Sequence, residues 1–376
     1  MARRFTNGAS EIAHGASRMT DSLEVLQAMP SGLLDLPAAG LGASLRGPTL
    51  IEIQGRREPP LFVSSLVHGD EVGGWEAVRG LLRALGRRAP ARSLRLLIGN
   101  PRAAAQGVRH LDDQPDFNRV WHRALGEAPD HPLGAAAREV TRRMKREGCF
   151  AAVDIHNNSG VNPPHVCVAG IDWYTLRVAS LFSSITVHVD HPQTIQTAAF
   201  AEFCPAVTLE VGRARERAGV ERALTLLRTL LAMDSLDEVS VGDGSGVKLF
   251  RALARVEIAR GCRFAFAGED AENGADLTLH AELEAHNFER VGQGTPLGWL
   301  GEATREPPLF VTARRGELDF DAFFEVRQRA VHLSRDVFFS MFTTNHASIR
   351  QDCLCYLMEP IELQRIEDVE RHAERI

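Results

Sequence analysis

From residue 49 onward the hydrophobic positions alternate between two textures. Near-continuous apolar runs predict buried strands: TLIEIQG from Thr49, LFVSSLV at 61–67, LRLLIGN at 94–100, FAAVDIH at 150–156 and PAVTLEVG at 205–212. Between them lie stretches of helical period. GWEAVRGLLRALG (74–86) places Ala77, Leu81, Leu82 and Leu85 on one face. GAAAREVTRRMKREG (134–148) gathers cations towards its C-terminal end, where the helix dipole favours them. Residues 215–234 predict a long amphipathic helix, WYTLRVASLF (173–182) a shorter one, and ITVHVD a further strand. Strands apolar on both faces and separated by helices predict an α/β fold, with a mostly parallel mixed sheet and helices on both faces.

The two ends read differently. Residues 1–48 form a mixed leader in which LEVLQAM, after Ser22, predicts a short helix ended by Pro30 and Gly32. A long polar loop is expected from the end of strand 94–100 to about 123. Past 236 the turn cluster VGDGSG and the segments VKLFRALARVEIARG, LTLHAELEAHNFERV and PPLFVTAR predict a small β-rich domain. DAFFEVRQRAVHLSRDVFFSMF predicts a helix, and 359–376 a more polar one, with Leu363, Ile366 and Val369 at a spacing of three. A helix of that kind suits packing or a homo-oligomer. The expected division is leader 1–48, α/β hydrolase domain 49–235, β-rich domain 236–314 and helical extension 315–376.

Composition narrows the function classes. A chain of 376 residues, 44% hydrophobic, can bury its own core without a staple. A net charge of -6 with no basic tract argues against a general nucleic-acid binder. No run of ~18 apolar residues predicts a membrane span, and the N-terminal residues lack the apolar core of a secretory signal. Six scattered cysteines form neither a disulfide framework nor a cysteine zinc site, so a cytoplasmic protein with reduced thiols is expected. Only Lys145 and Lys248 are lysines, leaving 41 arginines among the 43 basic residues. Coding bias accounts for most of that excess.

Open α/β sheets bind ligands beyond the carboxyl ends of their strands. There the chain places His68-Gly-Asp-Glu71, Asn100 with the loop bearing Arg109 and Asp116-Phe-Asn118-Arg119, His156, and Glu210. A catalytic zinc takes three protein ligands, often two histidines and a glutamate. His68 and Glu71, three apart on a strand-to-helix turn, can face one ion, and His156 joins from another strand. Glu210 is then a spare carboxylate able to act as general base and acid. Arg109 could stabilise an oxyanion. Asn118 and Arg119 could hold a substrate carboxylate, Arg119 through a bidentate fork. Singly, each has a bland reading, from strand-end histidine to surface arginine. Glu210 within an apolar strand resists one, because unpaired burial of a charge is costly. His165, after two prolines, is expected near the rim of the site, and His188 and His191, which flank Asp190, as surface or strand-edge residues.

In order along the chain, His68-Gly-Asp-Glu71, Gly99-Asn-Pro-Arg-Ala, Arg109…Asp116-Phe-Asn-Arg119, Asp154-Ile-His156 and Thr208-Leu-Glu210-Val-Gly212 resemble the succinylglutamate desuccinylase/aspartoacylase family, zinc-dependent relatives of carboxypeptidase A. The resemblance covers roughly 60–300 and is closer to the desuccinylase branch. It implies one zinc per chain on His68, Glu71 and His156, Glu210 as base then acid, Arg109 on the oxyanion, and Asn118 with Arg119 on the substrate carboxylate. It implies hydrolysis of a small, carboxylate-bearing N-acyl amino acid. A zinc carboxypeptidase acting on a peptide and a non-catalytic ligand sensor are the alternatives. The sequence departs from the family at Asp70, where Asn is usual, and in a longer loop after Arg109. Near Thr197–Phe203 it lacks the arginine that aspartoacylases use before the catalytic glutamate. With only Tyr174 and Tyr356 in the chain, a tyrosine contact from the β-rich region is not expected.

Overall fold

The computed structural model describes residues 20–122, 131–214, 216–240, 246–268, 274–313 and 316–362. Nine strands build the first part of the main sheet: β1 (Glu24–Leu26), β2 (Thr49–Ile53), β3 (Leu61–Ser65), β4 (Leu94–Ile98), β5 (Ala151–His156), β6 (His165–Val168), β7 (Ile185–His188), β8 (Ala206–Glu210) and β9 (Lys248–Ile258). The helices between them are α1 (Gly73–Leu85), α2 (Pro101–Gln106), α3 (Pro132–Glu147), α4 (Trp173–Ser180), α5 (Gln196–Ala201) and α6 (Arg217–Ala232). The strands run in the order β1-β2-β4-β3-β5-β8-β6-β7-β9. β4, β3, β5 and β8 are mutually parallel, whereas β2 and β6 run against their neighbours β4 and β8. This is the mostly parallel mixed sheet expected.

Continuous hydrophobicity in these strands reflects cover on both faces. Leu61 and Val63 of β3 point into a core shared with Trp75, Val78 and Leu81 of α1 and Leu226, Leu227 and Leu230 of α6. Phe62 points the other way, into a core with Val140 and Met144 of α3 and Phe200 of α5. A strand of period two therefore feeds two apolar layers, and polar residues enter it only at its carboxyl end, as Ser64 and Ser65.

The remaining elements are β10 (Phe264–Phe266), β11 (Leu277–Leu279), β12 (Arg290–Val291), β13 (Pro296–Leu300), β14 (Leu309–Ala313), β15 (Gly316–Leu318), β16 (Phe324–Arg327), β17 (Ala330–Leu333), β18 (Val337–Ser340), α7 (His346–Gln351) and β19 (Cys355–Ile361). β10, β11, β13, β17 and β16 form a separate five-stranded sheet. β9 runs on into an antiparallel array with β14 on one side of its later half and β19, then β18 and β12, along its length.

Three expectations change. LEVLQAM contains no helix: Glu24–Leu26 pairs in parallel with Thr49–Ile51 as an edge strand. The loop after β4 is partly helical, α2 starting at Pro101 with the Asn100 side chain accepting from Ala103 N at 3.0 Å. The extension after 315 is β-rich where a helix was expected, since Phe324–Arg327 and Ala330–Leu333 form a hairpin and Val337–Ser340 a third strand. Its apolar residues fit either period. The two-residue turn, Gln328-Arg329, takes left-handed φ values of 47° and 71° without the glycine or asparagine that normally signals it. Of the second expected helix, Glu359–Ile361 completes β19 and 363–376 lie outside the described residues.

Candidate active site

β3, β5 and β8 lie side by side, so their carboxyl ends form one ledge. His156 and Glu210 are direct register partners on β5 and β8. Beyond Ser65 the chain turns sharply at Leu66, whose φ is 55°, and delivers His68 and Glu71 over the same ledge. Gly69 makes this path possible. A Cβ there would stand 2.3 Å from the backbone of Ala103 in α2, and Gly69 N donates to Arg109 O at 3.0 Å. The His68 turn, α2 and the Arg109 loop are thereby pressed together.

His68, Glu71 and His156 bring three ligand atoms within 4.8 Å of one another. Each imidazole turns Nδ1 inwards, His68 at 2.7 Å from Glu71 Oε1 and His156 at 2.8 Å from Glu71 Oε2. Each turns Nε2 outwards to a carboxylate, His68 to Asp116 at 3.1 Å and His156 to Asp154 at 2.6 Å. Such outer carboxylates fix the tautomer and raise the basicity of a metal-ligating histidine. Two inward nitrogens and one carboxylate, with their outer atoms already satisfied, are a donor set that fits a divalent cation. Burial would raise the Glu71 carboxyl, but the His68 and His156 rings facing it hold it well below the usual carboxylate range. Burial likewise opposes a charged His156, and the Asp154 and Glu71 carboxylates outweigh it and raise that ring.

Residues that sequence reasoning passed over hold this set in place. Asp154 Oδ1 accepts from Ser64 Oγ at 2.7 Å, and Ser64 Oγ accepts from Gln196 Nε2 at 2.6 Å. Gln196 N in turn donates to Asn118 Oδ1 at 2.9 Å. Asn157 braces three segments: its N–H donates to Glu71 Oε2 at 3.0 Å, its Oδ1 accepts from Gly73 N at 2.7 Å, and its Nδ2 donates to Gly212 O at 2.7 Å. Asp154 and Asn157 flank His156 in the sequence, and that adjacency was the available signal.

A cavity of about 420 Å³ opens beside the three-ligand set, and Glu210, Arg109, Asn118 and Arg119 all line it. Glu210 is 7% exposed, and its Oε2 has no hydrogen-bond partner. Burial pushes its carboxyl up to about 8, against the attraction of His156. Arg109 is gripped by Asp116 through Nε at 3.0 Å and Nη2 at 2.9 Å, with Nη1 left 3.7 Å from Glu71. Asp116 is thus more than a loop-shaping ion pair, since it ties Arg109 to His68. Arg119 does not offer an open fork: its Nη2 lies 2.8 Å from Asp352 Oδ1 and its Nη1 donates to Asn118 O at 3.0 Å. His165 lines the cavity, but fully buried beside its register partner Glu210 and not at the rim where it was expected. Tyr356, against expectation, lines it too, because β19 runs beside β9 and not in a distant helix. His188 and Asp190 lie at a second, separate hollow. Among the described residues, no helix is long and apolar enough to cross a membrane.

Residues 57–236, a little under half of the chain, match the model of the succinylglutamate desuccinylase/aspartoacylase catalytic domain. The chain is 31% identical over 151 residues to a succinylglutamate desuccinylase of Burkholderia lata, a match spanning 39% of each protein. It is 37% identical over 98 residues to that of Burkholderia pseudomallei, 26% of each. The sequence matches thus span well under half the length of these relatives. Among solved structures, the succinylglutamate desuccinylase of Chromobacterium violaceum superposes with a TM-score of 0.55 at 20% identity, over 84% of this chain and 89% of that one. Murine aminoacylase 3 does so with a TM-score of 0.53 at 18% identity, over 81% and 97%. These two likenesses establish the fold.

Proposed function

We propose that the chain, whose residues 57–236 match the succinylglutamate desuccinylase/aspartoacylase catalytic domain, is a zinc-dependent amidohydrolase of that family, cleaving the amide of a small N-acyl amino acid or a derivative of one. The observation that carries this reading is the orphaned, buried Glu210 carboxylate beside the inward-facing set of His68, Glu71 and His156. A site for binding alone would need no second buried acid with an unpartnered oxygen beside the ligand set. A 420 Å³ cavity favours a small substrate over a peptide.

His68, Glu71 and His156 would hold one zinc per chain. When bound, zinc supplies Lewis acidity to the scissile carbonyl and makes water easier to deprotonate. Glu210 takes the proton of the attacking water and returns it to the leaving nitrogen, a double duty open to a buried carboxyl with an oxygen that has no other partner. Arg109, held by Asp116 with Nη1 facing the ligand set, stabilises negative charge growing on the carbonyl oxygen. Asn118 and Arg119 frame the end of the cavity that receives the amine half. Asp154 positions His156, so Asp154→Asn is expected to weaken zinc binding ~10–100-fold while the fold persists. Competition against a chromophoric chelator measures this, and unchanged affinity would remove Asp154 from the site.

Amine release from N-succinyl, N-acetyl and N-formyl amino acids, each as the free acid and as the carboxamide, tests the reaction with zinc-loaded protein. Release from at least one pair is expected. If zinc is bound and no member is cleaved, the amidohydrolase reading fails.

A further inference from the structure

The seat expected for a substrate carboxylate already contains one from the chain itself. Asp352 Oδ1 lies 2.8 Å from Arg119 Nη2 and 2.8 Å from Arg255 Nη2, and its Oδ2 lies 3.6 Å from Arg109 Nη2. Arg255 also reaches Glu257 at 3.2 Å. The three guanidinium groups at this end, Arg109, Arg119 and Arg255, therefore each already face carboxylates of the chain: Asp116 and Glu71, Asp352, and Asp352 with Glu257.

Asp352 is built in and is not a latch. Its N–H donates to Ser348 O at 2.8 Å, and its carbonyl accepts from Arg255 Nη2 at 2.7 Å. Two residues later Leu354 N donates to Val256 O at 2.8 Å, and Cys355 enters β19 opposite Val256. Leu354 and Cys355 are completely buried. The backbone under the carboxylate is thereby fixed, and turning the side chain away would break its contacts with both Arg119 and Arg255. Although burial opposes its charge, Arg119, Arg109 and Arg255 hold the Asp352 carboxyl below the usual carboxylate range.

We propose that Asp352 is a specificity-determining residue: it converts the Arg119 end of the cavity from an anion seat into a seat for an uncharged group, so the amine half of the substrate carries a blocked carboxyl, such as a carboxamide, in place of a free α-carboxylate. This rests on the amidohydrolase reading above. An incoming carboxylate finds no open fork on Arg119 and meets a like charge in a confined space. A carboxamide instead offers an N–H to Asp352 Oδ2, which stands beyond hydrogen-bond range of Arg109.

The test measures binding apart from turnover. Zinc-loaded Glu210→Gln protein is titrated calorimetrically with the same acid and carboxamide pairs, and the titration is repeated with Asp352→Asn added. With Asp352 present, the carboxamide of at least one pair is expected to bind ~10–100-fold more tightly than its acid, the worth of one or two charge-assisted hydrogen bonds. Asp352→Asn removes the negative charge facing Arg119, while Glu257 and the backbone carbonyl at 352 still hold Arg255, so the acid should gain a similar factor while the carboxamide changes little. The proposal is overturned if the acid binds as well as the carboxamide when Asp352 is present, if the ratio survives Asp352→Asn, or if neither member of any pair binds. Should Asp352→Asn fail to fold, the preference measured with Asp352 present decides alone. A carboxamide preference without turnover by the Glu210 enzyme would discard the amidohydrolase reading and keep this one. Efficient turnover of a free acid with a KM no higher than its carboxamide's would do the reverse.

Discussion

Replacing Glu210 by glutamine is expected to leave zinc binding intact and to slow turnover by on the order of 10²–10⁴, the usual worth of a positioned general base. The size of the effect follows from the site. Glu210 projects from β8 next to His156, is nearly inaccessible, and has an oxygen with no protein partner. Glutamine keeps the shape and removes the ability to take a proton. In the wild type, kcat/KM should rise with pH as Glu210 ionises, and that limb should vanish in the variant. Zinc on the neighbouring ligands favours the ionised form, so the limb should fall below the value near 8 that burial produces in the metal-free cavity. A second readout needs no substrate. The carboxyl's folded-state pKa is raised above its ordinary 4.5, so between there and about 8 the native state binds more protons than the unfolded one. Stability of the metal-free protein should therefore be highest at the acid end of that window and fall as pH rises through it. Glu210→Gln should flatten that slope. Unchanged turnover together with an unchanged slope would remove Glu210 from both roles.

The second large effect concerns the ion. Purified protein is expected to bind one zinc per chain, and His156→Ala should abolish both the metal and the activity. His156 supplies one of three ligands and stands in contact with Glu71 and Asp154. Its loss leaves two carboxylates facing each other without the ring between them. Zinc binds the native state only, so at a free concentration 100 times its Kd it should add about 2.7 kcal/mol to the unfolding free energy. That gain should be absent in His156→Ala, which separates loss of the site from loss of chemistry. Full activity in protein stripped of metal would eliminate the zinc assignment.

His156 and Glu210 were legible because each ends a strand whose burial writes itself as a continuous apolar run, and His68 and Glu71 because they lie in the turn that follows another such strand. Parallel neighbours then bring those ends together by geometry alone, as the pairing of His156 with Glu210 does. Asp154 and Asn157 stood in plain view beside His156, yet their partners, Ser64, Gly73 and Gly212, come from other strands and turns. What escaped most completely was the contribution of the last third of the chain. Asp352 and Arg119 are 233 positions apart, and no local pattern relates them. The residues before Asp352 read as a helix because four-residue strands joined by a glycine-free turn space their apolar side chains as a helix would.

The chain's sequence thus determined the α/β scaffold and marked His68, Glu71, His156 and Glu210 as candidates for one site, since these depend on strand burial and on residues at or beyond strand ends. The tertiary structure alone decided which charges meet in the cavity. Arg119, in sequence a free fork for a substrate, is neutralised by Asp352 because β19 folds back along β9 and carries that carboxylate to it. Electrostatic partners are chosen by distance in space, and separation along the chain does not encode that distance.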